Sequence, residues 1–248
     1  MAENEIIKHA IIKHAKKIYT VFRSASMGVK EKLKNIFIEI VIIVFAVSIS
    51  IWFHNWSESI HDRGEEKGFL IGLKQYLQSD IANMEGSRDF YTTTLHGIRY
   101  FLNSSKGGSL QKDSVMKYSD VFFGSTDLDP HIARYEGLKS SGKFKIVRNK
   151  ELLNNIIEFH ESLVQRIQVL NGKYYQHKEK LGAVVEQYVE LSKDGSIRNA
   201  EQVLKRSDVR ILLEISGGLI VNNIIGVHDR GIKKCQEIVS QIEKETHD

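Results

Sequence analysis

Between Ile36 and Trp56 the chain runs for twenty-one residues with a single formal charge, Glu39. A helix needs about 20 consecutive, predominantly apolar residues to cross the hydrocarbon core of a bilayer. The two tryptophans of the chain, Trp52 and Trp56, stand at the far end of the run, where indole rings favour the membrane interface. The run predicts one transmembrane helix at 36–56. It divides the chain into a basic segment, 1–35, the span, and a domain, 57–248, long enough to bury a core of its own.

Charge is distributed unevenly about the span. Residues 1–35 hold eight Lys or Arg against three Glu, a net charge of +5, while the whole chain carries +4. Once Glu39 is counted, everything beyond it is neutral. Basic flanks stay on the cytoplasmic side, which predicts a cytoplasmic N-terminus and a domain on the opposite side. A basic stretch that ends at a span is a topology signal and a lipid contact rather than a nucleic-acid site. A cleaved signal peptide is the competing reading, because Ala46-Val47-Ser48 and Ser48-Ile49-Ser50 space small residues as signal peptidase accepts. The long charged flank favours an uncleaved signal anchor. Cys235 is the one cysteine, so no internal disulfide can form, which fits either compartment.

The flank itself has helical period. At 100° per residue Ile7, Ile11, Ala15, Ile18 and Phe22 share a face and His9, Lys13, Lys16 and Lys17 lie opposite. A basic amphipathic helix of this kind can lie on an anionic leaflet, or pack on a partner.

Beyond the span, apolar residues from Leu70 to Leu102 recur mostly at three and four, with no proline before Pro130. This predicts a helix from about Ser57 to Asn103. A loop at Asn103 to Ser109 and two short helices near Lys112 and His131–Lys139 follow. Asn149 reads as the N-cap of a second long helix reaching about Leu191. After a turn at Lys193 to Ser196, Ser196 or Asn199 caps a short helix and Asp208 a third long one. The expected fold is all-α: a single transmembrane helix continuing into an elongated antiparallel bundle. Its three long helices run up-down-up, with short helices at the distal tip.

Few residues invite chemistry. Glu39 is an acid within a span, one turn from its cytoplasmic end, where it can snorkel or pair with Lys32 or Lys34. It heads a stripe with Ala46, Ser50, Gly64 and Gly68, continued by Gly72. Small residues on one face let helices approach closely, so the stripe predicts a seam for a homo-oligomer or membrane-protein partner. No phosphate loop, dinucleotide fingerprint, zincin helix or nucleophile elbow occurs. His54 and His61 lack partners at metal-ligand spacing. The expectation is therefore no catalytic residue, cofactor or metal.

Two segments carry a resemblance. One is Glu39 to Val44 followed by Asn55-Trp56-Ser57-Glu58 and Asp62-Arg63; the other is Tyr135 to Gly142, through Leu138 and Ser141, followed by Ile146 and Asn149 to Leu152. In these the chain resembles a domain-of-unknown-function family of single-pass inner-membrane proteins of Gram-negative bacteria. Members commonly carry Leu or Gly in the anchor where this chain has Phe45, Val47 and Ser48. The resemblance implies an inner-membrane protein with a periplasmic domain, and no catalytic residues. Physically, Ser141-Gly142 reads as a helix stop and Asn149 as the next start, which together shape the bend at the tip. A non-enzymatic protein that binds a partner or itself is the leading expectation; a subunit of a proton-driven stator or channel using Glu39 is the alternative.

Overall fold

The computed structural model describes residues 2–23, 28–126, 128–193 and 197–247. Among them there is no strand, only an isolated bridge between Leu191 and Ile197, and the fold is all-α. The helices are α1 (Ala2–Arg23), α2 (Val29–Ser105), α3 (Lys112–Lys117), α4 (Ala133–Ser140), α5 (Lys150–Glu158), α6 (Gln165–Tyr188), α7 (Ala200–Lys205), α8 (Ser207–Leu219) and α9 (Ile225–His247). A π turn at Phe159–Val164 joins α5 to α6 without a break, and another at Ile220–Ile224 joins α8 to α9. The chain forms two compact units, Met1–Glu65 and Glu66–Asp248. The basic segment and the apolar run fall in the first of these units.

Local signals set the helix ends. No proline interrupts α2, which runs unbroken past both predicted limits at 56 and 57. It ends in a Schellman motif: the Gly108 amide donates to the Asn103 carbonyl at 3.2 Å, and the Gly107 amide to that of Ser104 at 3.2 Å. Gly107 supplies the positive φ, +106°, that this closure requires. Gly142, at φ +65°, stops α4 as its sequence predicts. The Asn149 Oδ1 accepts the Leu152 amide at 3.1 Å and caps α5. Asn199 precedes α7, but its side chain turns to the chain before it, accepting the Glu190 amide at 2.9 Å. Asp208 lies inside the first turn of α8, behind Arg206 at the cap. Ser196 and most of the predicted turn at 193–196 lie outside the described residues.

In the second unit the core stripe of α2 repeats at alternating three and four residues: Leu70, Leu73, Leu77, Asp80, Met84, Ser87, Tyr91, Thr94, Ile98 and Phe101 are buried. That is the heptad seam of helices packed near-parallel. Lys74 pairs with Glu243 at 2.8 Å and Arg88 with Asp229 at 3.5 Å. Met84 meets Gly231, and Ile98 meets Gly217. Rising numbers in α2 match falling numbers in α8–α9, so these helices are antiparallel. The α5–α6 run is also antiparallel to α8–α9: Asn155 donates to Glu237 at 3.1 Å, and His177 lies 3.2 Å from the Leu212 carbonyl. It is therefore parallel to α2.

This overturns the up-down-up order. The first two long helices run the same way, because the link between them returns along the whole bundle. Tyr118 and Phe122 lie against Tyr100 and Phe101. Thr126 is 3.1 Å from Ser87, His131 2.7 Å from Asp80, and the Arg148 amide donates to Glu66 at 2.7 Å. The short helices accordingly spread along this strap: α3 lies at the Ser105 end, whereas α4 and the Tyr135 to Asn149 motif lie at the Glu66 end, not the far tip. In an up-down-up order Gly217 would lie level with Gly68 to Gly72; it lies instead against Ile98 and Leu95, toward the other end of α2.

A cross-link tests the order directly. Cysteines at Ile98 and Gly217 are expected to form a disulfide under mild oxidation, and cysteines at Gly68 and Gly217 none. The pairing of the second set instead would restore the up-down-up order.

Two helical runs are long and apolar enough to cross a membrane: α2, and Ser207–His247. The second supplies core residues, with Val209, Leu213, Ile220 and Ile224 buried in the bundle. The apolar window of α2 is almost wholly exposed.

Candidate functional site

Glu39 is the buried charge among the described residues of the first unit, 4% exposed. Its partners come from α1. His14 Nδ1 lies against Oε2 and Lys17 Nζ against Oε1, both at 2.5 Å. The carboxylate thus pins α1 to the side of α2. Ile18 of α1 and Ile36, Ile43 and Val47 of α2 are half-buried. Lys34, a predicted partner, is exposed; the side chain of Lys32, with those of Ile7, Ile11 and Phe22, lies outside the described residues. Sequence periodicity found the amphipathic helix but not what it packs against, because a helix wheel has no information on tertiary partners.

The small-residue stripe is not one uniform surface. Ser50 is half-buried and Ala46 exposed. Gly64 and Gly68 have open space where a Cβ would stand, whereas the Arg134 guanidinium fills that space at Gly72. Gly72 is explained within the chain, since any side chain there would displace Arg134 from its place over the Tyr76 ring. Trp52 and Trp56, one turn apart, stack with centroids 6.2 Å apart and Phe53 edge-on to both. All three are exposed.

The second cluster is built from the Tyr135 motif. Tyr135 and Leu138 are buried, and Ser141 closes α4 by donating to the Leu138 carbonyl at 3.0 Å. The Tyr135 ring stacks on His160 at 4.4 Å. Its hydroxyl donates to Glu161 at 2.7 Å, which also accepts from Lys139 at 2.6 Å. Burial and the Glu161 carboxylate push the Tyr135 hydroxyl up, and the bonds from Lys139 and Tyr135 hold Glu161 below its ordinary value. Asn149 closes the end: while its Oδ1 caps α5, its Nδ2 donates to Glu245 of α9 at 2.6 Å. The motif therefore fastens strap, second helix and last helix together.

Several polar residues escaped the sequence reading. Asp80, 1% exposed, accepts from the backbone amide of His131 at 3.1 Å as well as facing its ring, and Tyr76 packs on that ring at 5.1 Å. Lys178, 4% exposed, donates to the Asp120 carbonyl at 2.7 Å, and burial pushes its amine down to about 8. Beside Asp120 a cavity of about 20 Å³ is lined by Thr94 and Tyr118, room for about one water. Both nitrogens of His160 and both amide atoms of Asn171 are buried without a protein partner. One signal was available: Asp80, Ser87 and Thr94 fall every seven residues within the core stripe of α2, a polar track on which the strap lies. Among the described residues no group of three or more His, Cys, Asp or Glu is placed to hold a metal.

Comparison with family models, with known proteins and with solved structures returned no match.

Proposed function

We propose that this chain is a non-enzymatic, single-pass protein of the bacterial inner membrane. Its N-terminus is cytoplasmic, and its periplasmic helical domain binds a membrane-protein partner or a second copy of itself. The carrying observation is the surface of α2 between 36 and 56. Phe37, Val44, Phe45, Ile51, Trp52 and Trp56 each expose more than half of their surface. In water a contiguous apolar surface of that extent drives association; lipid is its natural solvent. The pairing of Glu39 supports the same reading, since a carboxylate inside a bilayer is costly until it has a partner. Its contacts to Lys17 and His14 favour a structural role over proton carriage in a stator or channel. The open backbone at Gly64 and at Gly68 supports close approach by a partner helix.

Topology is tested by labelling with an impermeant maleimide. Cys235 is fully buried, so the folded native chain should stay unlabelled. Cysteine in place of Ser109 is expected to react in cells whose outer membrane is permeabilised. Cysteine in place of Thr20 should react only after the inner membrane is broken. The reverse pattern would place the helical domain in the cytoplasm.

A further inference from the structure

The basic residues of α1 do two different jobs. Lys17 and His14 face α2 and are engaged by Glu39. Lys16 and Arg23 lie about 160° and 140° around the helix from the half-buried Ile18, and Lys13 stands on the shoulder between them and Lys17, about 40° from Lys17; all three are exposed. Arg23 donates to the Tyr19 hydroxyl at 3.4 Å, which holds an aromatic ring beside the cationic face. Between the two faces Ile12, Ala15 and Tyr19 form an exposed apolar flank, with a shallow groove that Lys16 and Thr20 border. A cationic row flanked by apolar and aromatic residues is the pattern of a helix seated at a lipid headgroup layer. The Glu39 contact adds what the sequence pattern lacks: a register. It holds the helix beside the first turns of the apolar run, where the chain would enter the bilayer.

We propose that the outer face of α1, led by Lys13 and Lys16, is a docking surface for anionic phospholipid headgroups, held in place by the Lys17–Glu39 ion pair. This rests on the membrane reading above. Neighbouring lysines then differ in kind: Lys16 meets lipid phosphate, and Lys17 neutralises the acid of the span. Phosphate groups favour this face because each basic side chain near an anionic surface adds attraction that falls off within a Debye length.

The test uses the full chain, with a donor fluorophore on cysteine at Ala15, in nanodiscs of equal parts phosphatidylcholine and phosphatidylglycerol. Energy transfer is read to a trace of headgroup-labelled phosphatidylglycerol or, separately, equally labelled phosphatidylcholine. Phosphatidylglycerol should be enriched by about fivefold or more, the factor one basic side chain supplies at an anionic surface. The Lys13→Glu/Lys16→Glu pair should abolish the preference, and high salt should reduce it. Equal transfer from both lipids, or a preference unchanged in the double variant, overturns the proposal. Extraction of the unlabelled chain from membranes with alkaline carbonate separates the two levels. Release of the chain refutes the membrane span itself, whereas retention together with equal transfer refutes only the headgroup surface.

Discussion

Replacing Tyr135 by alanine should destabilise the helical domain by about 3–5 kcal/mol, the usual cost of removing a buried aromatic ring from a core. The side chain is 2% exposed, stacks on His160 and reaches Glu161. Its loss would leave a cavity where the strap, the π turn and α4 meet. Tyr135→Phe keeps the ring and removes one hydrogen bond to a carboxylate that retains Lys139, so it should cost only about 1 kcal/mol. Urea unfolding of the full chain in detergent, followed by helical circular dichroism, gives both values. A cost for alanine no larger than for phenylalanine would show that the ring is not a packing element. The motif would then owe its residues to an external partner.

Acid should weaken the same region through His160. Burial lowers its imidazole to about 4, against an ordinary value near 6.5, with the Glu161 carboxylate opposing the shift. The folded state therefore holds this side chain neutral, and the unfolded state binds its proton first. The stabilisation is complete above about pH 6.5 and is lost as pH falls toward 4, about 3 kcal/mol in all at 1.36 kcal/mol per unit. His228, lowered in the same direction by burial, adds to the acid sensitivity, so the measurement is a difference between two chains. His160→Phe can keep the stack on Tyr135 and carries no proton. Between pH 7 and 5 its unfolding midpoint should fall less than that of the unsubstituted chain. Parallel pH profiles would mean that His160 is solvated when folded.

Both expectations concern residues whose place the sequence did not disclose. The apolar run, the loop that ends α2 at Asn103 to Ser109, the stop at Gly142 and the cap at Asn149 were all legible, because each depends on residues within a turn or two of one another. So did the all-α class, from helical period across long stretches without proline. The order of the long helices was not legible. The link from 106 to 149 is long enough to let the second helix start at either end of the first, and only contacts far apart in sequence choose between them: Asp80 with His131, Ser87 with Thr126, Glu66 with Arg148. A search for apolar periodicity skips these positions, since buried polar groups look like surface until their partners are known. Glu39 teaches the same lesson in the first unit. Its charge made it conspicuous, and its cost in an apolar run required a cation. That the cation would be Lys17, carried back by a separate helix, is a fact of tertiary packing, set by the pairing of two faces that no single helix contains.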